Sequence, residues 1–96
     1  MKKTTFYSMV REEDEVIAKL HNGYTDGTYN YYKKDSLWHA IHPVNGLSIC
    51  SSYTRKAAAE RAHAPHMVER IAAALERQQD AADRFAAAVK KAKEAA

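Results

Sequence analysis

One cysteine, two prolines and three glycines among 96 residues leave several kinds of protein without their raw material. The lone Cys50 cannot build an internal disulfide framework and fits a reducing cytoplasm. No apolar run approaches the length of a membrane span. Met1 to Val10 begins with Lys2 and Lys3 but lacks the apolar core of a signal peptide, so a soluble, intracellular protein is expected. A glycine-rich phosphate loop, a nucleophile elbow and a zinc-protease motif are all missing. Paired carboxylates occur only in the run Glu12 to Glu15 and on helix faces expected to be exposed. The expectation is therefore a protein without catalytic residues, cofactor or metal.

Charge of one sign is also in short supply. Residues 1 to 53 balance six basic against six acidic side chains, and the net charge of +3 arises from nine against six in residues 54 to 96. This is mildly basic, unlike the dense one-sided field of a dedicated DNA-binding domain. The length suits one domain, 1 to 96, near the size at which a single core is only marginally sufficient.

What the chain does contain is a sheet followed by helices. Thr4 to Val10 is β-branched and aromatic and reads as a strand ending at the charged run Arg11 to Glu15. The next segment supports two readings. Acidic residues 12 to 15 ahead of Val16, Ile17 and Leu20, with Gly23 after them, suit a helix, whereas Val16, Ala18 and Leu20 alternate as in a strand, which is slightly favoured. Asn22-Gly23 and Asp26-Gly27 have turn chemistry, Thr28 to Lys33 is tyrosine-rich, Lys34 to Ser36 turns, and Leu37 to His42 forms a further strand. Pro43 to Gly46 turns again and Leu47 to Cys50 returns. The fold class expected is α+β: an antiparallel meander of three to four strands over 1 to 53, then two C-terminal helices.

Thr54 is a suitable N-cap for an alanine-rich helix over 54 to 64, and Pro65 separates it from a second helix over 66 to 95. That second helix carries a heptad stripe of Val68, Ile71, Leu75, Gln78, Ala82, Phe85, Val89, Ala92 and Ala96. From Met67 to Glu94 it would run about 42 Å at 1.5 Å per residue, longer than the sheet beneath it. Part of the stripe should then meet another chain. Val68 to Val89 are the expected seam of a homodimer, flanked by small residues such as Ala72, Ala74, Ala81 and Ala88 that favour bundle-like packing. Gln78 interrupts the stripe and would fix its register.

Candidate sites compete with plainer explanations. His39 with His42, and His63 with His66, have spacings that recur in metal sites, but a strand points the first pair to opposite faces and Pro65 separates the second pair from helical geometry. Cys50 reads as a buried structural thiol. Tyr29, Tyr31 and Tyr32 with Lys33 and Lys34, opposite Trp38, suit either a packed core or an aromatic, basic platform for bases. Arg55 and Lys56 stand in a first helical turn, where the macrodipole disfavours positive charge and backbone N–H groups can receive an anion. Tyr29, Tyr31, Lys33, Lys34, Arg55 and Lys56 together form the expected partner-binding surface. The alternative is the exposed side of the long helix along Arg70, Arg77 and Arg84.

The stretch Trp38 to Ile49, WHAIHPVNGLSI, followed by Thr54-Arg55-Lys56-Ala57-Ala58, resembles the hairpin-then-helix modules of small accessory proteins of bacteriophages and mobile elements, a group that includes anti-CRISPR inhibitors. The resemblance covers residues 28 to 62 and carries over no functional residue. It implies a non-enzymatic protein that binds and blocks a bacterial defence complex, meeting a larger bacterial protein or nucleoprotein. The second expectation is a small nucleic-acid-binding protein that uses the Tyr/Lys sheet and the basic helix start. Salt-tolerant binding to a protein and salt-sensitive binding to an oligonucleotide separate the two.

Overall fold

A computed structural model describes residues 1 to 95; the stripe position at 96 lies outside the described residues. Five strands, β1 (Lys2–Glu12), β2 (Glu15–Thr25), β3 (Asn30–Lys34), β4 (Leu37–Ile41) and β5 (Ser48–Ser52), form one antiparallel sheet in sequence order. Helices α1 (Arg55–Ala62), α2 (Pro65–Arg77) and α3 (Gln79–Ala95) follow. The α+β class matches the expectation, and the counts do not. There are five strands where three to four are expected, because the ambiguous segment after the acidic run is a strand paired with β1 from Lys2↔Thr25 to Glu12↔Glu15.

The turns follow from local chemistry. Glu13 and Asp14 connect β1 to β2, and Glu13 takes a φ of 52° at the tip. Asp35 and Ser36 join β3 to β4 with φ values of 54° and 66°, the positive pair that suits a two-residue hairpin. Asn22-Gly23, read from sequence as a turn, lies inside β2 instead. Its glycine serves close packing, since a Cβ there would collide with the Tyr31 carbonyl and meet the Phe6 ring at 2.9 Å.

Thr54 caps α1 as its chemistry requires, its hydroxyl accepting from Ala57 N at 3.0 Å. Pro65 opens α2, where its missing N–H costs no helical hydrogen bond. The expected single helix over 66 to 95 is in fact two, broken at Gln78 with φ −120° and ψ 37°. A straight rod of that length, about 45 Å, would exceed the longest dimension of the molecule, 34 Å. The break lets α2 lie beside α1 while α3 folds back onto β2.

Much of the heptad stripe is thereby covered within the chain. Ala82 and Phe85 are buried, and the Phe85 ring lies on Gly46, whose φ of 68° and lack of a Cβ make room for it. The Gly46 carbonyl in turn accepts from Met9 N of β1 at 2.8 Å, tying the β4–β5 loop to the edge strand. Ile71 packs on the main core, Leu75 and Val89 are half-buried, and Val68 and Gln78 are exposed. The main core is Tyr29, Tyr31 and Ala40 beneath Ala58 and Ala62 of α1.

Candidate recognition face of the sheet

Strand register assigns side chains to faces, because directly paired residues of an antiparallel ladder point the same way and neighbours along a strand alternate. Tyr24, Tyr31, Ala40 and Cys50 are linked by successive pairings and share the face that carries α1. Phe6 and His21 on one side, and Tyr32 and His39 on the other, are paired on the opposite face.

On that helix-free face four rings form a row across four strands. Phe6 lies 5.6 Å from His21, His21 stacks on Tyr32 at 4.0 Å with 21° between planes, and Tyr32 lies 5.4 Å from His39. Phe6 is buried and also reaches Tyr32, at 6.0 Å, so it forms the floor of the row while the other three rings remain partly open. Gly23 permits the arrangement: with no side chain at position 23, the Phe6 ring settles over the sheet.

Polar groups border the row. Ser8 Oγ and His21 Nε2 are 2.6 Å apart. Burial pushes the His21 pKa below that of a free histidine, and the charges of Lys19 and Lys34 push it further, so the ring is neutral at pH 7. Lys19 and Lys34 are both exposed. The groove beside the row is lined by β1, β2 and β3 alone, from Val10 and Ile17 through His21 to Tyr32 and Lys34. Half-open aromatic rings flanked by ammonium groups can stack on flat, electron-rich ligands and pair with their anionic substituents.

The surface expected from sequence is dispersed by the fold. Tyr29 and Tyr31 are buried at 6 % and 0 % exposure and belong to the core, which removes them from any contact surface. Lys33 pairs with Trp38 and so lies on the helix-bearing face, whereas Lys34 lies on the opposite one. The Arg55 guanidinium sits 3.8 Å above the Tyr24 ring and 5.6 Å from that of Trp38. Cation–π packing thus accounts for a positive charge in the first turn of α1. Lys56 is exposed nearby. Of the tyrosine run only Tyr32 joins the helix-free row; Phe6, His21 and Lys19 carry no local signal in the sequence, and His39 stands out there only for its spacing from His42. Alternation in β2 would have aligned Lys19 with His21, but only once that segment was known to be a strand.

A second polar cluster closes the other side of the sheet. Asp26 Oδ1 accepts from Thr28 N at 2.9 Å and Tyr29 N at 2.8 Å, and its Oδ2 accepts from Tyr31 Oη at 2.6 Å and His63 Nε2 at 2.7 Å. Burial alone would raise the Asp26 pKa, but these donors outweigh it and hold the carboxyl well below the usual range. Burial and the adjacent carboxylate push the Tyr31 phenol well above its own. With both carboxylate oxygens occupied, Asp26 acts as a clasp between the β2–β3 turn and the end of α1 and has little capacity left for use as a base. His42 and His63, one from each of the histidine pairs whose spacing recurs in metal sites, flank the Tyr29 ring at 5.7 and 5.0 Å, and His63 is taken up by its bond to Asp26. No group of three or more His, Cys, Asp or Glu among the described residues is placed to hold a metal ion. Nor, among those residues, is any helix long and apolar enough to cross a membrane.

No protein-family model matches the chain, and no match is found among curated proteins or solved structures.

Proposed function

We propose that this chain is a non-enzymatic binding module that presents the helix-free face of its sheet to single-stranded nucleic acid. The observation that carries the reading is the row Phe6, His21, Tyr32 and His39, with Phe6 buried as its floor and Lys19 and Lys34 beside it. Bases stack on such rings whatever their identity, and lysines beside them meet the phosphates. The acidic tip from Glu12 to Glu15 repels phosphate at one end of the long hairpin, so the bound strand crosses β2 to β4 and does not run along β1.

Fluorescence anisotropy with labelled 12-nucleotide RNA and DNA at about 50 mM salt tests this. Tyr32→Ala should weaken binding about tenfold, the low end of the range expected when one base loses its stacking partner. Lys34→Ala should weaken it across sequences and lower the salt slope by about one. Blocking a bacterial defence complex is the competing outcome. Absence of oligonucleotide binding, together with tight, salt-tolerant binding to a protein of such a complex that Tyr32→Ala leaves intact, would overturn the nucleic-acid reading.

A further inference from the structure

A second concavity lies away from the aromatic row, between the β4–β5 loop and α2, with a volume of about 470 Å³. That is within the range of small-molecule sites, about 300 to 1,000 Å³. Its floor is apolar, with Met67 buried and Leu47, Ile49 and Ile71 half-buried. Its rim carries Arg70 and Arg77, and its lining includes no acidic residue. Neither arginine forms an ion pair among the described residues, where the only such pairs are His63 with Asp26 and Arg84 with Asp80. Both are exposed, and a seven-residue separation places them about 10 Å apart along one side of α2.

The loop wall is built in advance of any ligand. Asn45 Oδ1 accepts from Leu47 N at 3.0 Å, and Gly46 N donates to the His42 carbonyl at 2.8 Å. The anchorage of Gly46 to Met9 and beneath Phe85 holds the same loop from outside. His42 Nδ1 accepts from Val44 N at 3.1 Å, which leaves the ring proton on Nε2 and makes His42 a donor toward other partners. The cleft, whose α2 wall runs about 16 Å from Met67 to Gln78, therefore combines an apolar floor with cationic and neutral donors at its edge.

We infer that this cleft binds an organic carboxylate with an extended aliphatic body, of the size of a medium-chain fatty acid, the chain lying on Met67 and Ile71 and the carboxylate on Arg70 or Arg77. Guanidinium groups match a carboxylate in geometry as well as charge. The occupant is independent of the nucleic-acid face, since none of the cleft residues belongs to the aromatic row.

Titration of the full chain with decanoate, followed by calorimetry and backbone amide shifts, tests the inference. Saturable one-to-one binding with a dissociation constant of about 0.1 to 1 mM is expected for a ligand of this size, with shifts centred on residues 42 to 49 and 67 to 78. Decanol should bind about tenfold more weakly. The variant Arg70→Gln with Arg77→Gln, which changes only exposed side chains, should lose about tenfold in affinity and keep the melting temperature. The inference is overturned by absence of saturation at about 10 mM, by equal affinity for decanol, or by unchanged decanoate affinity in the double variant. Capture of an acidic amphipathic peptide by a cleft that ignores decanoate would overturn it as well. Decanoate should leave oligonucleotide binding unchanged, so failure here and failure of the nucleic-acid reading are separable.

Discussion

Replacing Asp26 with asparagine keeps the shape of the side chain and removes its charge, which isolates what the clasp contributes. The amide oxygen introduced by Asp26→Asn can still accept from Thr28 and Tyr29 N–H, so the turn into β3 survives. The amide nitrogen then faces Tyr31 Oη and His63 Nε2, two donors with nothing to accept their protons in the present geometry. Hydrogen bonds to a charged group contribute about 1.5 to 3 kcal/mol each, and leaving the hydroxyl of the fully buried Tyr31 unpaired adds to the cost. His63 is about half exposed and recovers water as a partner, so its bond is discounted. A loss of about 2 to 4 kcal/mol follows, a large share of the stability of a domain this small. It should lower the melting temperature by at least about 10 °C. Denaturant unfolding at pH 7 measures the loss, and Tyr31→Phe in the same background completes a double-mutant cycle in which the two changes are strongly non-additive. The pH dependence has a definite sign. The folded carboxyl titrates well below its ordinary value of 3.8, so its contribution is present above pH 4 and lost as the pH falls through the folded value. The difference between wild type and Asp26→Asn should therefore shrink steadily below about pH 4. A variant within about 0.5 kcal/mol of wild type at pH 7, or a difference that does not change on acidification, would refute the reasoning.

Phe85→Ala should cost about 3 to 5 kcal/mol, read from denaturant melts, because the ring is buried on Gly46; a mere change in oligomeric state with unaltered unfolding would place that ring in an interface instead. Gly23→Ala should destabilise by more than the about 1 kcal/mol of an ordinary strand substitution, since its Cβ meets the Tyr31 carbonyl and the Phe6 ring, and a soluble variant with native stability would contradict the packing. Cys50 should react with a thiol reagent far more slowly in the native protein than in denaturant, because burial raises its pKa and its Sγ lies 3.6 Å from the Ala58 carbonyl; comparable rates in the two states would be inconsistent with that placement. Thr54→Ala should cost about 1 kcal/mol, with circular dichroism locating the loss in helix, and no loss would mean that the cap at Ala57 N is idle.

Local chemistry determined the parts of this protein that depend on neighbours in the chain. The α+β class, the turn at Asp35-Ser36, the cap at Thr54 and the break at Pro65 are legible because positive φ, a capping hydroxyl and a missing N–H act over a few residues. The identity of β2 was ambiguous for a physical reason: acidic residues at the start and Gly23 near the end are helix signals, and only pairing with β1 along its whole length outweighs them. Tertiary structure alone decided the rest. Nothing local distinguishes Tyr31 from Tyr32, yet the pleat places one under α1 and the other beside His21. The heptad stripe has a regular period, but covering it required a break at Gln78, because an unbroken helix outruns the sheet. The Asp26–His63 contact joins residues 37 positions apart, and the Phe6 to His39 row assembles one ring from each of four strands. Such sites depend on register, which is settled by the summed burial of whole faces and not by any short stretch of sequence.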